Sequence, residues 1–223
     1  MTAKAAILDY EAGNLTSVLR AVTHLGFDGL ITRDPKAIRD ATRVIFPGVG
    51  AAGASMENLR RFGLEEEIRR AFAAGKPVLG ICIGCQVAFD WSDEDGGTKC
   101  LGLLRGKVVR FQFSPESGLK VPHMGWSPVR FLTPHPVLAR IQSEGESDRS
   151  EPWPQFYFVH SYYVEPGAQD DARRPNLLGT AEYGGVEFPA IVGRDNFVAV
   201  QFHTEKSGRP GLRLLENFLR WRP

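Results

Sequence analysis

The chain has 223 residues, of which 43% are hydrophobic and 24% are charged, which predicts one globular domain over residues 1–223 and excludes disordered and collagen-like chains. Because 27 basic residues balance 26 acidic ones, the net charge of +1 gives no long-range attraction to nucleic acid or acidic lipid, and neither is an expected partner. The longest apolar runs, such as residues 78–83, are far shorter than the ~20 residues that span a membrane.

Short apolar runs alternate with helical patterns in the first half of the chain. Four runs predict strands, at residues 5–8, 30–31, 44–46 and 78–81. Apolar residues at helical spacing predict helices at residues 15–25, 59–72 and 83–91, and Asp34-Pro35 opens a further short helix. This alternation predicts an α/β fold with a mostly parallel sheet covered by helices on both faces, and functional loops at the carboxyl ends of the strands.

The second half of the chain has a different pattern. Its runs are short, rich in β-branched and aromatic residues, and separated by Pro and Gly, which is typical of antiparallel or mixed strands. These runs lie at residues 108–113, 129–132, 156–159, 186–192 and 197–202. The polar stretch at residues 142–154 is expected to be a surface loop, and an amphipathic helix is expected around residues 212–219.

The pentapeptide Gly80-Ile81-Cys82-Ile83-Gly84 has the form of a nucleophile elbow, a sharp strand-to-helix turn that exposes a reactive side chain. An apolar strand precedes it and an apolar helix follows, so the helix dipole would favour the thiolate of Cys82. The backbone N–H of Ile83 would face an oxyanion formed beside the sulfur. A buried structural cysteine between packing glycines explains the pentapeptide equally well.

The three cysteines allow a redox alternative but little else. Cys82 and Cys85 form a C-x-x-C pair, the form of a thioredoxin-type redox motif, and this interpretation stays open on the motif alone. Cys100 stands apart, so no zinc site or other metal site is expected. An odd cysteine count and the short apolar stretch at residues 5–8 argue against a secreted disulfide framework and a signal peptide. We therefore expect a cytoplasmic protein.

A cysteine nucleophile needs a histidine, and that histidine needs an acceptor that orients it. His203 follows the apolar run 197–202 and precedes Thr204-Glu205, whereas His24 and His135 have the contexts of surface residues. If the strand continued, its period of two would place Gln201, His203 and Glu205 on one face. A surface His beside a surface Glu is the common alternative for a lone His-x-Glu pair.

Glycines after the third predicted strand suggest a second oxyanion donor. Pro47-Gly48-Val49-Gly50 can aim backbone N–H groups into a cavity beside the elbow. Residues 48–53 also match G-x-G-x-x-G, the dinucleotide-binding pattern. That pattern belongs to the first strand of a fold, with an acidic residue ending the next strand, and neither condition holds here. We reject a nucleotide site and expect no cofactor.

Taken together, these motifs resemble class I (triad) glutamine amidotransferases, a flavodoxin-like three-layer family. The resemblance runs nearly end to end and includes the segments at residues 9–15, 46–50, 80–86 and 201–207. Two further segments resemble the branch that contains the glutaminase subunits of imidazole glycerol phosphate synthase. They are Pro122-His123-Met124-Gly125-Trp126 and residues 156–162.

The resemblance implies glutamine hydrolysis by a triad of Cys82, His203 and Glu205, with transfer of ammonia to a separate (β/α)₈-barrel cyclase subunit. That partner would make imidazole glycerol phosphate and aminoimidazole carboxamide ribotide, a step of histidine biosynthesis. The implied oxyanion hole comprises Val49, Gly50 and Ile83. The implied glutamine-binding residues are Gln86, Glu94, His160, Ser161 and Tyr162, and the implied interface or tunnel residues are Tyr157, Trp126 and Lys206.

Several positions depart from the family pattern. Cys85 stands where the family usually has Met, so a packing role suits it better than a redox role. Glu11, Ser127 and Thr204 also differ from the common residues, and none of them is a proposed catalytic group. Two alternatives remain: the glutaminase subunit of another synthase, for pyridoxal phosphate or anthranilate, or a non-catalytic regulatory protein of the same fold.

Overall fold

The computed structural model describes residues 4–141, 153–168 and 171–223, and an eight-stranded mixed sheet lies at its centre. The helices α1–α6 span Leu15–His24, Pro35–Asp40, Ala52–Arg61, Leu64–Ala73, Ile83–Gln86 and Gly208–Arg220. The strands β1–β7 span Lys4–Leu8, Asp28–Thr32, Arg43–Gly48, Val78–Cys82, Trp91–Ser92, Thr98–Lys99 and Gly106–Arg110. The strands β8–β14 span His123–Pro128, Arg130–Phe131, Gln155–His160, Tyr162–Pro166, Asn176–Tyr183, Val186–Arg194 and Phe197–Val200.

The central sheet is parallel at one end and antiparallel at the other. Its strand order is β2-β1-β3-β4-β14-β13-β12-β9. Strands β2, β1, β3, β4 and β14 run parallel, whereas β13, β12 and β9 pair in antiparallel fashion beyond them. The predicted mostly parallel sheet is therefore confirmed. Strand β14 comes from the second half of the chain but pairs with β4, which carries Cys82 at its end.

Helices cover both faces of this sheet, as the alternation of strands and helices predicts. Along β1, Ala5 and Ile7 face one hydrophobic cluster, while Ala6 and Leu8 face the other. The first cluster includes the buried faces of α1 and α6, and the second includes those of α2, α3, α4 and α5. Strands β1, β3, β4 and β14 are buried on both faces and read as apolar runs, whereas the edge strand β2 stays partly exposed.

The second half of the chain adds two small sheets to the antiparallel end. Strands β8 and β10 form an antiparallel pair, and β11-β7-β5-β6 form a four-stranded sheet. The expected β-rich, largely antiparallel second half is confirmed, although strands β8, β11 and β12 lie outside the predicted runs. The expected surface loop at residues 142–154 lies largely outside the described residues.

Two helix predictions were wrong. The predicted helix at 59–72 is two helices, because Gly63 adopts φ 67° between α3 and α4, a left-handed conformation that ends one helix and starts the next. The predicted helix at 83–91 ends at Gln86, and the chain then enters strand β5 at Trp91. Among the described helices, none combines the length and hydropathy needed to cross a bilayer.

The turn from β4 into α5 packs against β3 with no room for side chains on its glycines. A Cβ at Gly84 would lie 1.9 Å from the carbonyl oxygen of Phe46 in β3. A Cβ at Gly80 would lie 2.7 Å from the carbonyl oxygen of Gly84. Both obstacles are backbone atoms, which cannot move aside without shifting the sheet. The two glycines therefore let the chain turn sharply at Cys82.

We expect Gly84→Ala to lower the free energy of unfolding by about 3 kcal/mol or more, because the added methyl group collides with β3 backbone. Gly53→Ala in helix α3 is the matched control. Its new Cβ would lie 3.3 Å from the Thr98 hydroxyl oxygen, and alanine suits a helix, so a change within about 1 kcal/mol is expected. Denaturant unfolding measures both, and equal stability of the two variants would contradict this account of the turn.

Candidate active site

Cys82 lies at the tip of the turn predicted for a nucleophile. It is the last residue of β4 and immediately precedes α5, with φ 55° and ψ −107°. This positive φ is costly for a residue with a side chain and persists only where the surrounding structure enforces it. The Cys82 side chain is 6% exposed, and its Sγ lies 3.8 Å from the carbonyl oxygen of Val159. The sulfur thus faces β10 rather than solvent.

The carboxyl ends of three adjacent parallel strands meet around this sulfur. In β3, Gly48 pairs in register with Cys82, and the chain continues into Val49 and Gly50. In β14, Val200 pairs with Ile81, and the chain continues toward Gln201 and His203. Strand order therefore brings together the elbow and the histidine, which are far apart in sequence.

His203 and Glu205 form the expected pair, but by a different local structure from the predicted strand. Strand β14 ends at Val200, and a 3₁₀ turn at Thr204–Lys206 follows His203. This turn places Glu205 Oε1 2.9 Å from His203 Nδ1, with side chains 1% and 3% exposed. The condition for Gln201, His203 and Glu205 to share one strand face is not met, since the strand ends at Val200 and the chain turns.

Asn14 binds the same carboxylate oxygen of Glu205 as His203 does. Its side-chain amide donates a hydrogen bond to Glu205 Oε1, while its backbone adopts φ 58° just before helix α1. Asn occupies this left-handed conformation more readily than most residues with side chains. Asn14 does not cap α1 through its side chain, so the amide is free to orient Glu205.

Backbone bonds from β10 fix the loop that carries His203. The N–H of His203 donates to the carbonyl of Tyr157 at 3.0 Å, and the N–H of Tyr157 donates to Ser207 Oγ at 3.0 Å. Ser207 Oγ in turn donates to the carbonyl oxygen of His203 at 2.5 Å, and its side chain is fully buried. These three bonds hold the imidazole against the elbow.

The charge balance around His203 favours its protonated form. Burial by itself would lower its pKa, but hydrogen bonds to Cys82 and Glu205, together with their charges, raise the pKa to about 10. The imidazole binds the Glu205 carboxylate through Nδ1 and shares the lining of one cavity with the Cys82 sulfur. The arrangement can hold a protonated imidazole between the sulfur and the carboxylate.

The three residues expected to form an oxyanion hole differ in how their N–H groups are used. Ile83 is the first residue of α5, where N–H groups have no acceptor within the helix. The N–H of Val49, by contrast, donates to the carbonyl of Ala12 at 2.8 Å. Gly50 follows with φ 105°, a conformation that glycine adopts readily. The Val49 amide is thus directed away from the pocket.

A cavity of about 260 Å³ opens over Cys82, which is the size expected for a small metabolite rather than a large cofactor. Its lining contains the proposed nucleophile and base, the oxyanion segment, and every residue proposed to bind glutamine. The lining residues are Val49, Gly50, Cys82, Ile83, Gln86, Glu94, Pro122, Val159, His160, Ser161, Tyr162, His203 and Lys206. Glu205 lies behind His203 and does not line the cavity.

Buried amides connect the pocket wall to the sulfur. Gln86 Nε2 donates to the carbonyl of Tyr162 at 2.8 Å and to Gln201 Oε1 at 3.0 Å. The Gln201 side-chain amide then points toward Cys82 Sγ at 3.9 Å. Glu94 accepts a hydrogen bond from the N–H of Ala52 at 2.7 Å, and burial, which dominates, raises its pKa.

The proposed interface residues form an exposed patch next to this pocket. Trp126 in β8 and Tyr157 in β10 lie opposite each other, with ring centroids 5.8 Å apart. Trp126 is 53% exposed and its neighbour Met124 is 63% exposed. Lys206 is exposed and lines the pocket mouth. An apolar patch of this kind is typical of a surface that binds another protein.

The other cysteines lie in apolar surroundings and form no disulfide. Cys82, Cys85 and Cys100 are all free thiols. Burial raises the pKa of the Cys85 thiol strongly and that of Cys100 to about 12, so both stay protonated and unreactive. These environments disfavour the redox alternative. Within the described residues, no group of three or more His, Cys, Asp or Glu side chains is arranged to hold a metal ion.

Three contributing residues were not predicted from sequence. Gln201 carries a signal that could have been used, since it is a polar residue at the end of a strongly apolar run. Asn14 resembles an ordinary helix cap, and Ser207 an ordinary loop residue, so their contacts with the histidine loop could not be read from local pattern.

Comparison with known proteins identifies the family. The model of the glutamine amidotransferase class-I family matches residues 6–221. A relative from Nitratidesulfovibrio vulgaris (strain DP4), named imidazole glycerol phosphate synthase subunit HisH, is 49% identical over 220 residues, covering 97% of this chain and 95% of the relative. A relative with the same name from Methylococcus capsulatus (strain ATCC 33009 / NCIMB 11132 / Bath) is 46% identical, covering 98% of this chain and 96% of the relative.

Solved structures agree at the level of the fold. PurLQS from Thermotoga maritima superposes with a TM-score of 0.71 at 19% identity, covering 99% of each chain. A crystal structure of a glutamine amidotransferase gives a TM-score of 0.69 at 19% identity, covering 97% of each chain. With the elbow and the histidine lining one pocket and the carboxylate behind the histidine, the chain belongs to the class I glutamine amidotransferase family, in the branch of the HisH subunits.

Proposed function

We propose that this chain is the glutaminase subunit of an imidazole glycerol phosphate synthase, which hydrolyses glutamine and passes the ammonia to a cyclase subunit. The observation that carries the proposal is the Cys82 sulfur at a strained elbow, beside the buried His203–Glu205 pair, in a cavity the size of an amino acid. The names of the relatives support the same assignment.

The first half of the reaction transfers the glutamyl group to sulfur. The Cys82 thiolate attacks the carbon of the side-chain amide, and a C–S bond forms while the oxygen becomes an oxyanion near Ile83 N–H. The C–N bond then breaks, and the His203 imidazolium gives its proton to the departing nitrogen. Ammonia and a glutamyl thioester result, with His203 left neutral.

The second half releases glutamate and restores the ion pair. Thioester formation removes the charge on Cys82, one of the causes of the raised pKa of His203, so neutral His203 is present when water arrives. His203 takes a proton from water as its oxygen attacks the thioester carbon, and the C–S bond breaks to return the thiolate. The glutamic acid ionises to solvent. Glu205, held by Asn14, keeps the ring in place throughout.

The partner is proposed to be a (β/α)₈-barrel cyclase that receives ammonia and forms imidazole glycerol phosphate and aminoimidazole carboxamide ribotide. The exposed patch formed by Met124, Trp126 and Tyr157 is the proposed docking surface, with Lys206 at the mouth of the pocket. Its position beside the cavity would let ammonia leave toward the partner without crossing solvent. Histidine biosynthesis in the cytoplasm is the proposed setting.

We expect Cys82→Ala to abolish glutamine-dependent product formation by the complex while ammonium salts still support it, because only the ammonia source is lost. Product formation with each nitrogen source measures this. Cys85→Ala is the matched control, since Cys85 is a buried packing residue, and it should keep both activities. Full glutamine-dependent activity in Cys82→Ala would rule out the proposed nucleophile.

The raised pKa of His203 predicts a pH-dependent contribution to stability. Because its folded pKa is about 10 against an ordinary value of 6.5, protonation stabilises the fold fully below pH 6.5, and this contribution is lost as pH rises through 10. The difference in free energy of unfolding between wild type and His203→Gln should therefore shrink between pH 6.5 and 10. His24→Gln, at an exposed helix position, should show a constant difference. Denaturant unfolding at several pH values tests this, and a constant difference for His203→Gln would contradict it.

The hydrogen bond from Val49 N–H to the Ala12 carbonyl predicts low activity in the isolated chain, since one proposed oxyanion donor is turned away. A single such donor is worth about 10²–10³ in kcat. We expect the cyclase with its bound ligand to raise the glutaminase rate by about 10²-fold, which an assay of glutamate release with and without the partner measures. Equal rates would mean that both donors already face the pocket at rest.

A further inference from the structure

Two buried histidines lie opposite each other across strands β8 and β10, outside the catalytic triad. His123 in β8 pairs in register with His160 in β10. His123 Nδ1 lies 3.0 Å from His160 Nε2, and His123 Nε2 lies 2.9 Å from Ser127 Oγ. The other ring nitrogen of His160, Nδ1, lies 2.8 Å from the carbonyl oxygen of Tyr162. These contacts form one continuous chain, the Ser127–His123–His160 chain.

The acceptor at its inner end fixes the direction of every bond in this chain. A carbonyl oxygen only accepts, so His160 Nδ1 must carry the proton and donate to Tyr162. A neutral His160 then has a bare Nε2, which accepts from the Nδ1–H of His123. His123 Nε2 is bare in turn and accepts from the hydroxyl of Ser127. The opposite set of tautomers would leave two acceptors facing each other at Tyr162.

The surroundings keep both rings neutral and unable to rotate. Burial lowers the pKa of His123 to about 4, and burial, opposed only in part by the bond to Tyr162, lowers the pKa of His160 to about 3. His123 is stacked on Tyr183 at a centroid distance of 4.3 Å and on Phe158 at 5.0 Å. The tautomers are therefore stable at neutral pH.

The inner end of the Ser127–His123–His160 chain, at the Tyr162 carbonyl, reaches the pocket of the proposed glutaminase. The Tyr162 carbonyl that accepts from His160 also accepts from Gln86 Nε2 at 2.8 Å. Gln86 also binds Gln201, whose amide points at the Cys82 sulfur. Two donors on one carbonyl place Gln86 in a defined position in the pocket wall. A change in the His160 ring would therefore alter the site that holds the substrate.

The outer end of the Ser127–His123–His160 chain is Ser127, which lies in β8, the strand that carries the exposed Met124 and Trp126. Side chains alternate between the two faces of β8. His123 and Ser127 are buried on one face, whereas Met124 and Trp126 are exposed on the other. Any protein that contacts Met124 and Trp126 therefore acts on the strand that positions the histidines. The backbone of β8 together with the Ser127–His123–His160 hydrogen bonds links this surface to the pocket.

We propose that Ser127, His123 and His160 are positioning residues of the glutamine site, whose directional hydrogen bonds hold the Tyr162 carbonyl and Gln86 in register with strand β8. The substrate part of this inference rests on the proposed function. Through the Ser127–His123–His160 chain of hydrogen bonds, the affinity for glutamine depends on the position of β8 and on the hydroxyl donor of Ser127. None of the three residues touches the reacting atoms.

The tautomers can be tested directly on the full chain by ¹⁵N NMR of the histidine rings. Wild type should show protonated Nδ1 and bare Nε2 at both His123 and His160. Ser127→Ala removes the donor to His123 Nε2, so a population with protonated Nε2 should appear there. Ser127→Thr keeps the hydroxyl and suits a strand, so it should retain the wild-type tautomers. Protonated Nε2 at His123 in the wild type would overturn the proposal.

Kinetics of the complex with its cyclase test the consequence for substrate. Ser127→Ala should raise the KM for glutamine about 3- to 10-fold with kcat changed less than about 2-fold, because it disturbs binding and not the reacting groups. Ser127→Thr should restore the KM, and His24→Gln should leave it unchanged. An unaltered KM in Ser127→Ala would overturn the proposal. A wild-type complex without glutaminase activity would instead refute the proposed function, while the NMR result would still decide the tautomers.

Discussion

The close packing of the β4–α5 turn against β3 is the constraint on which the site depends. Cys82 holds φ 55° because Gly84 passes within contact of the Phe46 carbonyl, where no other residue fits. The strained backbone aims the sulfur at β10, and the first amides of the α5 helix that follows have no acceptor within that helix. The remaining elements of the site then approach a sulfur whose position is already fixed. The strain at one residue is offset by two hydrophobic clusters that bury both faces of the sheet.

Charge then determines what the fixed sulfur can do. Hydrogen bonds to the Cys82 sulfur and the Glu205 carboxylate, together with their charges, raise the pKa of His203 and favour a proton on its ring. In the proposed reaction, the leaving nitrogen takes this proton. The ring releases it more easily once the sulfur has bonded to carbon, because the sulfur then carries no charge. At His123 and His160, burial lowers the pKa and no neighbouring carboxylate or thiol raises it, so both rings stay neutral. Two kinds of histidine thus lie within one small region, one suited to proton transfer and the other to holding geometry.

Much of the fold and the centre of the site could be predicted from sequence, for reasons that also explain the failures. Apolar runs identified the parallel half because its strands β1, β3, β4 and β14 are buried on both faces. Apolar periodicity failed at Gly63, where one left-handed residue divides a helix without changing the apolar spacing, and at residues 83–91, where pairing of β5 overrides helical spacing. Cys82, His203 and Glu205 could be found because motifs mark them.

Asn14 and Ser207 could not be found, since their contacts join segments that only the folded chain brings together. The direction of the Val49 amide is likewise a property of backbone conformation, which residue identity does not specify.

The pairing of β14 with β4 also has a consequence for how the protein acquires its activity. The strand that leads to His203 occupies the position beside the nucleophile strand, although Gln201 and Cys82 are separated by 119 residues. Contacts of such long sequence separation form late, because closing a long loop is entropically costly. A nascent chain emerging from the ribosome can build the elbow well before it contains the imidazole. Under the proposed function, glutamine cleavage would be confined to molecules whose synthesis and folding have passed this last strand, and incomplete chains would release no free ammonia.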